Sequence, residues 1–194
     1  MFIMQLGRSD KLRTFFAIEL PDGVRGWING NVIIPLSKLP CKVTWVAPKN
    51  IHLTMRFLGE ITFDEVAKVI QGASQSIKGI SPIPLNLLEI GTFGGHSPRV
   101  VWIGIGGEKD KLAALYDKIE NSCRASGLSP DDKKFSPHIT IGRVKSPAHT
   151  AQLISAIKKI EIKPLDFIAN EIILFKSTLT PSGAIYDVVE RFAL

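Results

Sequence analysis

The sequence predicts an α+β fold of two lobes, each an antiparallel β-sheet carrying helices on its outer face. Three observations predict it. Stretches of strand and helix periodicity run strand, helix, strand and strand, helix, strands, and then much the same again. Short turn-forming clusters, such as Gly94-Gly95-His96-Ser97-Pro98 and Thr180-Pro181-Ser182-Gly183, join neighbouring strands as antiparallel pairs. One strand pattern also occurs twice, as Ile51-His52-Leu53-Thr54-Met55 and as Pro137-His138-Ile139-Thr140-Ile141.

Taken in order, Thr14–Leu20 is a buried strand rich in aromatic and β-branched residues and stopped by Pro21. Asp22 can cap a helix, but Gly23, Gly26, Gly30 and Pro35 make Val24–Leu39 a poor helical stretch. Lys42–Val46 is a short strand, Pro48-Lys49-Asn50 a turn, and Ile51–Leu58 the first motif strand. Thr62 and Glu65 form a capping box that opens a helix to about Ile77, with Val66, Val69 and Ile70 on its apolar side. Leu85–Phe93 and Arg99–Ile105 read as paired strands. Glu108–Ser126 is the clearest helix, with Leu112, Leu115, Ile119 and Cys123 at helical spacing and Gly127 as its stop. The second motif strand is Pro137–Arg143. Ser146 with Pro147 at N1 starts a helix to about Ile160, and Phe167–Lys176 and Ala184–Phe192 are a last strand pair.

Composition sets the class. The 194 residues are 45% hydrophobic and 22% charged, which provides ample core material for one domain. No apolar run approaches the roughly 20 residues that span a bilayer, so no membrane association is expected. Met1–Leu6 is too short for a signal peptide's apolar region and lacks a basic segment before it. Residues 1–11 are therefore expected to be a short extension, or a start-site ambiguity with Met4, and residues 12–194 a single bilobal domain in the cytoplasm. Cys41 and Cys123 have no metal-site spacing and are expected to be free thiols. A net charge of +6 suits a polyanionic partner, but cations spread along the whole chain suit a solvated basic surface almost equally well. No interface patch is legible, and a monomer is the default expectation.

The repeated pattern carries the chemistry. On a strand, side chains alternate between faces, so His52 and Thr54 share one face while Leu53 and Met55 anchor the other. The Cα atoms of histidine and threonine then lie roughly 6.5–7 Å apart, near enough to contact one small anion together. His138 and Thr140 repeat the arrangement between Ile139 and Ile141. A single His-x-Thr is usually structural; the pair is what points to function.

These stretches resemble the RNA 2′,3′-cyclic phosphodiesterase family, also called bacterial and archaeal 2′-5′ RNA ligases, of the two-histidine phosphoesterase superfamily. The matching residues are Arg13-Thr14-Phe15-Phe16-Ala17-Ile18-Glu19-Leu20-Pro21, Trp45-Val46 with Asn50–Glu60, and Phe135–Arg143. Weaker matches are Arg99–Trp102 and Ser177–Tyr186. The resemblance implies motif strands that face each other across a cleft between pseudo-symmetric lobes. It also implies hydrolysis of RNA 2′,3′-cyclic phosphate ends to 2′-phosphates, with His52 and His138 as the acid–base pair and Thr54 and Thr140 on the phosphate. ATP-independent 2′-5′ joining of RNA ends would be the same reaction reversed. The strained cyclic ester needs no metal, neither motif has a metal-site neighbourhood, and no cofactor is expected.

Further candidates surround the motifs. Arg56 shares the parity of His52, and Arg143 would reach the cleft if Gly142 made a bulge; either then touches phosphate or forms a surface ion pair. Phe135 is a core or cleft-wall residue, or stacks on a base. Arg99 reads as exposed and Tyr186 as a half-buried strand residue or part of the cleft, while His96 and His149 are ordinary loop and helix residues. Gly104-Ile105-Gly106-Gly107 lacks the Gly-Lys-Ser/Thr ending of a phosphate loop. The rival readings are a related enzyme acting on small cyclic phosphates or 2′-5′ oligonucleotides, and a catalytically idle RNA- or nucleotide-binding module.

Overall fold

Both faces of the first strand are buried, which explains its unbroken apolar run. In the computed structural model, which describes residues 11–95, 97–132, 134–181 and 183–194, β1 spans Lys11–Glu19. Phe16 and Ile18 enter the main core, whereas Phe15 and Ala17 join Ile173 and Phe175 in a small second cluster on the opposite face. Lys11 already pairs with Thr62, so the strand begins one residue inside the expected extension; residues 1–10 lie outside the described residues.

The strands are β2 (Val43–Trp45), β3 (His52–Thr62), β4 (Ile83–Phe93), β5 (Val100–Gly107), β6 (His138–Val144), β7 (Asp166–Ala169), β8 (Glu171–Thr180) and β9 (Gly183–Ala193). They form antiparallel pairs in the order β7-β4-β5-β6-β3-β1-β8-β9, with β2 added on β6. The α+β class and the antiparallel pairing are as expected. The two expected sheets, however, meet edge to edge as one, where the motif strands β3 and β6 pair at Leu53 and Ile139. One lobe is thus β3, β1, β8 and β9; the other is β6, β5, β4, β7 and β2.

The helices α1 (Asp22–Ile28), α2 (Ile34–Ser37), α3 (Phe63–Ile77), α4 (Lys109–Ala125) and α5 (Thr150–Ile157) supply the main core, which lies on one side of this sheet. The capping box at Thr62 and Glu65 is present, and Gly127, at φ +94, follows α4. Two expectations change. The stretch from Asp22 to Ser37 is helical throughout, with a π-helical segment at Asn29–Ile33 just before Pro35. That wide turn accommodates a residue with no N–H, while Val24, Ile28, Val32 and Leu36 recur every four residues on the buried side. The last helix starts at Thr150, after His149 in the left-handed region (φ 62), because Ser146 accepts from the Ala148 N–H in a preceding turn instead. Both cysteines are free.

Candidate active site

The seam between the lobes fixes the two motifs against each other. Leu53 and Ile139 are fully buried in the core, so their neighbours point to the opposite face of the sheet. Continuing the antiparallel register by one residue each way sets His52 across from Thr140 and Thr54 across from His138. The motifs are therefore related by a local twofold axis through the Leu53–Ile139 pair.

Each motif strand then makes the same irregularity. On β3, Ala17 pairs with Thr54 and Phe16 with Arg56, which leaves Met55 as an extra residue. On β6, Trp102 pairs with Thr140 and Val101 with Gly142, which leaves Ile141 as the extra residue. A bulge adds one residue and reverses the alternation beyond it. The residue five after each histidine therefore faces the cleft: Phe57 on β3 and Arg143 on β6. The bulge anticipated near Gly142 exists, and it brings Arg143 in. Its counterpart on β3 turns Arg56 away.

That reversal corrects the reading of Arg56 as a phosphate ligand. Its side chain is 8% exposed, with Nε donating to Glu120 at 2.6 Å and Asp131 3.7 Å from Nη1. The other guanidinium nitrogens donate to the carbonyls of Phe57 and Ser129. Arg56 ties β3 to α4 behind the sheet. Phe135 is also corrected as a base-stacking residue, because its ring lies flat on Tyr116 of α4 at 4.3 Å and 9° and packs against the main core. Arg99 is exposed, as expected, and His96 lies outside the described residues.

His52 is held on both ring nitrogens. Nδ1 lies 2.8 Å from the Asn50 carbonyl oxygen, which can only accept, so Nδ1 carries the proton of the neutral ring. Nε2 then accepts from the Thr54 hydroxyl at 3.0 Å. Asn50 is fixed in turn by donating from Nδ2 to the Ala184 carbonyl at 2.7 Å. The imidazole sits between Phe15 and Tyr186, with ring centroids 5.0 and 5.3 Å away. Burial there pushes its pKa down to about 4, against the opposing pull of the Asn50 carbonyl. His138 repeats the backbone contact: its Nδ1 lies 2.6 Å from the Ser136 carbonyl, and its ring meets Phe93 edge-on at 4.9 Å.

In front of these groups is a cleft of about 450 Å³, lined by His52, Thr54 and Thr140 and carrying two arginines, Arg143 and Arg13. Both arginines act on the Tyr186 phenol, whose pKa is raised by burial and drawn back down by Arg143 and Arg13. Sequence reasoning missed Arg13, Phe57 and Asn50, and undervalued Tyr186. A signal for Arg13 existed, since alternation on β1 puts it on the same face as Phe15 and Ala17. Nothing in the sequence marks the bulge at Met55 that exposes Phe57. Among the described residues no group of three or more His, Cys, Asp or Glu could hold a metal ion, and no helix is long and apolar enough to cross a membrane.

Known proteins are similar to this chain in sequence and in fold. The chain is 33% identical to an RNA 2′,3′-cyclic phosphodiesterase of Thermotoga maritima, over 92% of this chain and 93% of that one. It is 32% identical to one of Methanocaldococcus jannaschii, over 93% and 100%. Among solved structures, E. coli LigT complexed with 3′-AMP superposes with a TM-score of 0.75 at 26% identity, covering 95% of this chain and 99% of LigT. TT0787 of Thermus thermophilus gives a TM-score of 0.74 at 26% identity over 94% and 98%. With the model of the 2′-5′ RNA ligase superfamily matching residues 45–180, the chain belongs to that superfamily.

Proposed function

We propose that this protein hydrolyses 2′,3′-cyclic phosphate ends of RNA to 2′-phosphates, with His52 as general base and His138 as general acid. The observation that carries the reading is the antiparallel pairing of the two motifs at Leu53 and Ile139, which supports a twofold arrangement of His52–Thr54 with His138–Thr140. In this reading two imidazole Nε2 atoms and two hydroxyls serve one small anion, with His52, Thr54 and Thr140 lining the cleft and His138 at its edge. In-line displacement at a cyclic phosphate needs a base on the attacking water and an acid on the departing O3′, on opposite sides of phosphorus.

His52 suits the base. With Nδ1–H given to Asn50, its Nε2 lone pair faces the cleft, and its low pKa keeps it neutral at neutral pH. His138, held the same way by Ser136, presents Nε2 from the other side of the local twofold and protonates O3′. In the free protein the Thr54 hydroxyl occupies the His52 Nε2; with substrate bound it turns to a non-bridging oxygen and Nε2 takes the water proton. Thr140 does the same for the second oxygen, and Arg143 offsets the charge that builds on phosphorus. Joining RNA ends would use the same groups with a 5′-hydroxyl attacking the cyclic phosphate in place of water, giving a 2′-5′ bond as O3′ leaves with a proton, and requires the ends to be held together.

The test is a short RNA ending in a 2′,3′-cyclic phosphate, incubated with the protein in EDTA, with the product end identified by phosphatases that separate 2′- from 3′-phosphates. The expected product is a 2′-phosphate, and His52→Ala or His138→Ala each lowers turnover by about 10²–10⁴-fold. Binding that survives both substitutions, with no turnover in the unaltered protein, would favour the idle binding module. Turnover confined to cyclic mononucleotides would favour the small-molecule phosphodiesterase.

A further inference from the structure

Arg13 lies beyond the groups the mechanism uses. It is half-buried, it lines the cleft, and its guanidinium sits 4.5 Å from the centroid of the Phe57 ring. Its cross-strand neighbour is Glu60, yet among the described residues Arg13 makes neither a hydrogen bond nor an ion pair. A guanidinium removed from much of its water and left without a carboxylate is costly unless a ligand supplies the anion. Stacking on Phe57 limits its rotamers and leaves the guanidinium edge free to donate.

Its place along the seam says which anion. Reading along β3 and β6, Arg143 lies at one end, then His52 beside Thr140, then Thr54 beside His138, and Phe57 with Arg13 at the other. Phe57 is three residues past Thr54, and one of the intervening residues is the bulge, so it is about two strand rises, roughly 7 Å, farther on. That is on the order of one nucleotide step along an extended single strand. It is also the end nearer His138, the acid that protonates O3′, and so the side on which the ribose, still bonded to phosphorus through O2′, lies. Arg143 is at the opposite end. Exposed Phe57 and Leu179, 41% and 68% exposed, continue this outer part of the cleft.

We propose that Arg13, held on Phe57, is a specificity residue that binds the phosphodiester joining the last two nucleotides of an RNA end. It favours a cyclic phosphate carried by an oligonucleotide over the same group on a mononucleotide. The inference rests on the phosphodiesterase reading, and its test separates the two.

The experiment measures kcat/KM for a 2′,3′-cyclic mononucleotide with a free 5′-hydroxyl and for the dinucleotide that adds one internal phosphodiester. It uses the unaltered protein, Arg13→Ala and Arg13→Lys. The expected result is a preference for the dinucleotide that shrinks about 10–100-fold in Arg13→Ala, the range of a charge-assisted hydrogen bond, and is partly restored by Arg13→Lys. Replacing the internal phosphodiester by a neutral methylphosphonate should cost the unaltered protein a similar factor and Arg13→Ala almost nothing. Equal losses on both substrates would leave the ratio unchanged and overturn the proposal, as would no loss on either. If the unaltered protein turns over neither substrate, the phosphodiesterase reading fails and takes this inference with it. If it turns over both equally, only the subsite fails.

Discussion

At the residue scale, the two histidines have the same sequence surroundings and different environments. His52 lies against Phe15 and Tyr186, on a small apolar cluster that the cleft face of the sheet buries. Among the described residues, His138 has only the edge of Phe93 in comparable contact. The difference gives a pH dependence. A base must be neutral, and kcat/KM reports the pKa values of the free enzyme, so the rate should rise as pH climbs through about 4, well below the ordinary imidazole value of about 6.5. A pH profile on a cyclic mononucleotide checks this; a rate that instead falls as pH rises from about 4 would make His52 the acid. The sign for stability follows from the same shift. The folded pKa lies below the unfolded one, so the unfolded chain binds more protons between them. This contribution is complete above about 6.5 and is lost as pH falls towards 4, which urea midpoints across that window would measure. The choice of residues was legible in the sequence, because two His-x-Thr strands are visible as text. The lowered pKa of His52 was not, because Phe15 and Tyr186 come from the two ends of the chain.

At the element scale, the bulge just past each motif threonine, at Met55 on β3 and Ile141 on β6, decides which side chains reach the cleft; β3 carries a second at Leu58. Gly142 marked one of them, and Arg143 was placed on that ground. The other follows Thr54 with no glycine, so simple alternation put Arg56 in the cleft, and the structure puts it behind the sheet against Glu120. Two substitutions separate these roles. Removing Arg56 strands Glu120, 14% exposed, without its cation, and breaking such a buried pair costs about 3–5 kcal/mol. Arg56→Ala should therefore lower the urea midpoint sharply with an unchanged m-value, while the fraction still folded keeps its KM for a cyclic mononucleotide. At Gly142 a Cβ would come within 2.8 Å of the Trp45 ring and 2.9 Å of Val43, both on β2. Gly142→Ala should push the short β2 strand off β6 at a cost of about 1–3 kcal/mol, read as a lower Tm. Because Arg143 is the next residue, it should also raise KM. The helix at Asp22–Ser37 was missed for a related reason. Its glycines face open space and its proline follows a π-helical segment, so the buried every-fourth-residue stripe overrides the local breakers.

At the scale of the whole molecule, the pseudo-twofold is broken by charge. The position that carries Arg143 on one lobe carries Phe57 on the other, and the cation there comes from β1 instead, as Arg13 stacked on that phenyl ring. Two guanidinium groups thus stand at the two ends of one cleft in a chain of net charge +6. A cyclic mononucleotide spans only the reactive centre, whereas an RNA end also presents backbone phosphates that displace condensed counterions when they bind. Each phosphate contacted on a single strand adds about 0.7 to the negative slope of log affinity against log salt. With kcat/KM tracking capture of the substrate, raising salt from about 50 to about 200 mM should lower it more for an oligonucleotide than for the mononucleotide. In Arg13→Ala the two slopes should converge by about the amount due to one phosphate. Parallel slopes in the unaltered protein would mean that only the cyclic phosphate is gripped electrostatically, and the basic balance of the chain would then be a property of its solvated surface. Slopes that differ but stay apart in Arg13→Ala would assign the extra grip to lysines outside the cleft. Charge counted along the sequence could not choose between these, because Arg13 and Arg143 come together only when β1 and β6 are set on either side of β3.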